Sequence, residues 1–155
     1  MKGNERIIEN LNELLKDELT AINQYFVHAE MCENWGYERL HKLVQKRSID
    51  EMKHAEQLIE RILFLEGIPI VSELNKVNIG AIVEDQLRKD LGAEEHCIRL
   101  YNEGIRLATE LNDNGTKEML DKIIVEEEKH ADWLEAQLGQ IEQMGVHNYL
   151  GVQVQ

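Results

Sequence analysis

Six residues carry acid or imidazole groups at spacings suited to holding metal: Glu18, Glu51, His54, Glu94, Glu127 and His130. Glu51 with His54, and Glu127 with His130, stand three positions apart, so on a helix each pair shares one face and can reach one ion. That spacing alone is weak evidence. With 23 Glu and 6 His in 155 residues, about one Glu-x-x-His match arises by chance, and three occur. An internal repeat selects two of them: a step of 76 positions carries Glu18 onto Glu94, Glu51 onto Glu127 and His54 onto His130 without a gap. The same step carries Leu15 onto Leu91, Ile22 onto Ile98, Tyr25 onto Tyr101, Ala55 onto Ala131 and Leu58 onto Leu134. The third match, Glu38 with His41, sits one step off the Tyr37, Leu40, Val44 stripe and has no counterpart in the other half. It is read as accidental.

Four carboxylates gathered in one core would repel one another, which argues against a purely structural, hydrogen-bonded role. Four ionised Glu and two neutral His are neutralised by two divalent cations, so the set favours two metals over one. Hard oxygen donors with a single imidazole per ion suit iron or manganese, whereas structural zinc more often brings thiolates. Iron is the first choice. The symmetry of the repeat makes Glu51 and Glu127 the bridging pair, with Glu18 and His54 on one ion and Glu94 and His130 on the other.

Four helices must position these groups. From about Glu5 to Asn34, Ile7, Leu11, Leu15, Ile22, Tyr25 and Ala29 form one apolar stripe, and Glu18 fills its vacant step. A second helix, about Tyr37 to Glu66, carries Leu40, Val44, Ala55, Leu58, Ile62 and Leu65 beside Glu51 and His54, and Gly67 is expected to cap it before Pro69. Residues 67–80 lack helical period and read as a long crossover. The third helix, about Ala81 to Leu111, presents Val83, Leu87, Leu91, Ile98, Tyr101 and Ile105 with Glu94 among them. Asn112 to Gly115 reads as a turn. The fourth helix, about Thr116 to Met144, turns Leu120, Ile123, Leu134, Leu138 and Ile141 inward, flanking Glu127 and His130, and Gly145 ends it. The tail, Val146 to Gln155, has room for a turn or two of helix that needs packing to be stable, and reads as a docking or assembly segment. Two short-looped helix pairs joined by a long crossover make an all-α four-helix bundle, a single domain over 1–155.

Composition agrees. One proline and aromatics at 5% leave little strand-forming material. A formal charge of −13 excludes a nucleic-acid partner, which would require clustered Lys and Arg, and an acidic surface attracts cations instead. Cys32 and Cys97 form no Cys-x-x-Cys pair and read as two reduced thiols. No apolar leader or membrane-length run is present, so the expectation is a soluble cytoplasmic protein. Met52 lies about 100° around the helix from Glu51 and groups with Ile49, Ile59 and Leu63 on a second apolar strip, which suggests a contact between subunits. By itself such a methionine is a packing residue.

The whole chain resembles the bacterioferritins. The resemblance rests on Met-Lys-Gly at the start, Ala-Ile-Asn-Gln-Tyr-Phe at 21–26, Ser-Ile-Asp-Glu-Met-Lys-His-Ala at 48–55, Arg61 to Gly67, Asn78-Ile-Gly80 and Asn-Tyr-Leu at 148–150. It implies a ferritin-like bundle with a short C-terminal fifth helix, assembled from dimers into a homo-oligomeric shell of twenty-four subunits. It further implies that the six residues are a di-iron ferroxidase centre, where dioxygen or hydrogen peroxide oxidises ferrous iron for storage as a ferric mineral, with Tyr25 assisting electron transfer. Met52 matches the family's ligand to a b-type haem held between two subunits, one methionine from each. Electrons for iron release would come through that haem from a small ferredoxin. Two other functions compete: a peroxide-reducing di-iron protein of the rubrerythrin type, whose four-cysteine iron module two isolated Cys exclude, and a haem-carrying structural subunit with vestigial ligands, which retention of all six opposes.

Overall fold

Leu11, Leu14 and Leu15, all fully buried, set the inner face of the first helix, α1 (Glu5–Asn34), whose start is fixed by Asn4 accepting a hydrogen bond from the Arg6 N–H. Burying each such leucine contributes roughly 1.5–3 kcal/mol. A computed structural model describes all of residues 1–155 and continues with α2 (Glu38–Phe64), α3 (Val83–Glu110), α4 (Asn114–Met144) and α5 (Val146–Val152), with no strand. The expected all-helical, ferritin-like bundle with a short fifth helix is what forms.

Short turns make α1 with α2, and α3 with α4, antiparallel neighbours. Contacts between the pairs are also antiparallel: Tyr101 meets Glu18 while Asp90 meets Gln24, and Thr116 meets Arg61 while Glu126 meets His54. Helices α2 and α3 therefore run in the same direction, and the chain between them must travel the length of the bundle. It does so along a polar ladder on α1. The Ile70 N–H donates to Asn12, Asn75 N–H to Thr20, Asn78 N–H to Gln24 and Gly80 N–H to His28. Backbone groups that no helix or sheet pairs are thereby satisfied.

Three helix ends differ in detail from the sequence reading. At the end of α2, Glu66 rather than Gly67 takes the left-handed conformation, with φ 63°, while the Gly67 N–H bonds back to the Ile62 carbonyl at 2.9 Å. Gly67 is needed for closeness instead: a Cβ there would lie 2.7 Å from Ile8 Cγ2. Helix α4 begins at Asn114, so the turn expected over Asn112 to Gly115 shrinks. Asn112 adopts φ 57° and Asp113 caps the new helix by accepting from the Thr116 N–H. Helix α3 begins at Val83 rather than Ala81, after Gly80 has been pinned by His28. Gly145, with φ 82°, ends α4 as expected. Helix α5 packs on α4 through buried Tyr149, whose O–H donates to Gln137 at 2.8 Å.

Candidate metal centre

The stripes place all six acid and imidazole residues at one level of the bundle, between an apolar cluster around Leu11, Leu58 and Leu120 and another around Val44, Leu87 and Leu134. None is more than 7% exposed. Their donor atoms form two overlapping groups, Glu18, Glu51, His54 and Glu127, and Glu51, Glu94, Glu127 and His130, with the atoms of each group within 4.8 Å of one another. Glu51 and Glu127 belong to both. The two imidazoles reach across the repeat: His54 Nδ1 lies 2.6 Å from Glu127 Oε1, and His130 Nδ1 lies 2.9 Å from Glu51 Oε1. The first contact is off the direction a hydrogen bond requires, so both atoms lack a hydrogen-bond partner.

The electrostatics need compensation. Glu18 Oε2, Glu51 Oε2, Glu94 Oε2 and both Glu127 oxygens are buried without a hydrogen-bond partner. Left ionised and unpaired, such groups cost several kcal/mol each, which about exhausts the roughly 5–15 kcal/mol by which a domain is stable. Burial accordingly raises the pKa of Glu18, and raises Glu51 and Glu94 well above the carboxylate range, with neighbouring carboxylates adding to it. For Glu127 burial acts in the same direction, but contacts with Glu94, His130 and His54 outweigh it and hold this carboxyl well below its ordinary value. His54 rises to about 11 against the effect of burial, because Glu127 and Glu18 favour its cation. Without metal, protons do the neutralising. Orphaned oxygens converging from four helices, each group completed by one imidazole, fit two divalent cations taking the place of those protons.

The surrounding contacts repeat at the same interval. Tyr101 O–H donates to Glu18 at 2.8 Å, and Tyr25 O–H donates to Glu94, so each phenol steadies a carboxylate of the opposite half. Burial pushes both phenols well above their usual pKa, which keeps them as donors. The outer imidazole nitrogens are met by acids: His54 Nε2 by Glu126 at 2.6 Å and His130 Nε2 by Asp50 at 3.4 Å. An acid behind a metal-binding imidazole fixes its tautomer and orientation. Asp50 and Glu126 are themselves one repeat apart, each immediately before a glutamate of the set, so the 76-position step held the signal for them and for Tyr101.

Residues 8–144 match the Ferritin-like domain family. The chain is 39% identical over 149 residues to the bacterioferritin of Mycobacterium leprae, covering 96% of this chain and 94% of that one. It is 40% identical over 155 residues to a bacterial ferritin of Synechocystis, covering 99% of each, and 39% identical over 149 residues to the bacterioferritin of Brucella melitensis, covering 96% of this chain and 92% of that one. The chain belongs to the bacterioferritin family. Its general role is iron storage. Met52 lies outside the bundle on α2, 54% exposed, beside Ile49, with Leu63 exposed further along the same helix. The centre and this apolar face are thus separate features of one helix. No helix is long and apolar enough to cross a membrane. A cavity of about 570 Å³ under the crossover, lined by residues including Asp17, Gln24, Asn75 and His96, contains none of the six.

Proposed function

We propose that the chain is a ferroxidase: it oxidises ferrous iron at the six-residue centre and delivers ferric iron to a mineral stored inside a cytoplasmic shell of twenty-four copies, built from dimers. The observation that carries this is the sharing of Glu51 and Glu127 between two otherwise separate donor groups, the arrangement required to hold two ions next to each other. Glu51 and Glu127 bridge, Glu18 and His54 complete one position, and Glu94 and His130 complete the other. Ferrous iron supplies one electron per ion, so a pair can jointly reduce dioxygen or hydrogen peroxide. The chain contributes proximity, holding both ions within reach of one oxidant. Tyr101 and Tyr25 steady the terminal carboxylates, Glu126 and Asp50 orient the imidazoles, and Tyr25 assists electron transfer through its hydrogen bond to Glu94.

Met52 would hold a b-type haem between two copies, one thioether from each. The exposed Met52 side chain beside exposed Ile49 suits an apolar macrocycle that needs cover from water. Haem there would supply a route for electrons that reduce the stored mineral, delivered by a small ferredoxin.

Aerobic addition of ferrous ion to metal-free protein, followed by ferric absorbance, tests the assignment with wild type and Glu94→Ala. Wild type should oxidise iron rapidly and the variant should lose the fast phase; equal rates would remove the ferroxidase reading. A haem spectrum unchanged in Met52→Leu would remove Met52 from the haem site.

A further inference from the structure

His41, from the third Glu-x-x-His match, has acids near it in the folded chain that are not its sequence partner Glu38. His41 is only 6% exposed, at the start of α2, and its Nδ1 lies 2.9 Å from the backbone oxygen of Ala29. A carbonyl cannot donate, so Nδ1 carries the hydrogen and Nε2 of the neutral ring carries the lone pair. That nitrogen has no hydrogen-bond partner. It points toward Glu33, whose Oε2 is 3.8 Å away, and donor atoms of His41, Glu33 and Glu30 all lie within 4.8 Å of one another. Neither carboxylate meets a lysine or arginine, whereas Glu38, the sequence partner of His41, is within 3.9 Å of Lys42. The cluster is therefore built across the turn between α1 and α2 rather than along one helix.

We propose that His41, Glu33 and Glu30 form a third, mononuclear site for a divalent transition-metal ion, open to solvent and separate from the buried pair. An imidazole held by a backbone carbonyl through one nitrogen and presenting the other is the form in which histidine binds metal. An ion about 2 Å from each donor needs donors roughly 3–4 Å apart, which rotation of the two exposed carboxylates provides, leaving positions for water. One repeat later the corresponding residues are Arg106, Thr109 and Lys117. The site has no twin, so it is not a remnant of the internal symmetry. Its mix of imidazole and carboxylate matches the donors of the buried centre, which makes it a capture point for the same class of ion on the exposed side of the turn, and a place where zinc would compete.

Zinc is the probe, applied to the full-length assembled protein by equilibrium dialysis and by anomalous diffraction from zinc-soaked crystals. Wild type should hold three zinc ions per chain, with anomalous density against His41 Nε2. His41→Gln should hold two, and Glu33→Gln, a surface change that leaves the core untouched, should weaken the third ion by about tenfold or more. Glu51→Ala should empty the buried pair while leaving the third ion in place, so this site and the dinuclear reading fail separately. Absence of density at His41 in wild type, or a zinc count indifferent to both His41→Gln and Glu33→Gln, would overturn the proposal.

Discussion

The two halves of the bundle are copies around the buried centre and differ away from it. Across the step of 76 residues the four Glu, the two His, Tyr25 with Tyr101, and Asp50 with Glu126 are matched, while Cys97, whose thiol lies 3.5 Å from Glu18, stands opposite Ala21. Away from the centre Met52 corresponds to Glu128, and Glu30, Glu33 and His41 correspond to Arg106, Thr109 and Lys117. Symmetry is kept where two like ions would have to be held alike and is lost where each half meets different surroundings. The repeat thus reports the chemistry of the centre, while departures from it mark places where the two halves meet different surroundings.

The largest effect should come from the shared pair. Replacing either Glu51 or Glu127 by Ala removes a donor from both groups, so the fast phase of ferrous oxidation should vanish in each variant by stopped-flow absorbance. Glu18→Ala and Glu94→Ala should also lose the fast phase but each keep one of the two ions, with matching losses in metal content measured by dialysis. Unequal stoichiometries would break the equivalence of the halves.

The outer acids sharpen it. Glu126→Gln and Asp50→Asn should each weaken metal binding by about 10–100-fold, more for Glu126 because its contact with His54 is 2.6 Å against 3.4 Å for Asp50 and His130. Calorimetric titration would read the difference, and its reversal would mean the imidazoles are not oriented by these acids.

A pH prediction follows from the protonated centre. Folding raises the pKa of Glu18, Glu51 and Glu94, so they stabilise the metal-free fold below the ordinary carboxylate pKa and that stability is lost as pH rises through their raised values. Glu127, held down, acts oppositely and loses its contribution as pH falls. Metal replaces the protons held by these three carboxyls and by His54, whose pKa is also raised. The gain in Tm on adding a divalent metal should therefore be larger at about pH 8 than at about pH 5, with protons released on binding. A gain that grows toward acid pH would contradict this.

The smallest effect concerns the turns. Asp113 caps α4 and is bound by Arg61 at 2.9 Å, while its counterpart Tyr37 gives α2 no side-chain cap. Asp113→Ala should cost about 0.5–2 kcal/mol in urea unfolding, and Tyr37→Ala should lose no cap bond, only the packing of its ring.

Much of this was legible in the sequence because two periodicities reinforce each other. The 3.6-residue stripe places Leu11, Leu58 and Leu120 inward, and the repeat then singles out the Glu and His that interrupt the stripe. The ladder of Asn12, Thr20, Gln24 and His28 was not legible, because polar residues spaced along a helix look like a solvated face until the crossover lies on them. Helix ends slipped for a related reason: Glu66 and Asn112 take a left-handed conformation usually given to glycine, and tertiary packing of Gly67 on Ile8 decides where the glycine goes. The Glu38 and His41 match is accidental, as read: Glu38 turns to Lys42, and the acids near His41 come from α1, which Glu-x-x-His spacing does not report.

The most direct test of the dinuclear centre is a stopped-flow titration of metal-free protein with ferrous ion in air, reading the amplitude of the fast phase. The amplitude should saturate at two ferrous ions per chain in wild type and be absent in both Glu51→Ala and Glu127→Ala. Saturation at one ion, or a fast phase that survives loss of either shared glutamate, would contradict it.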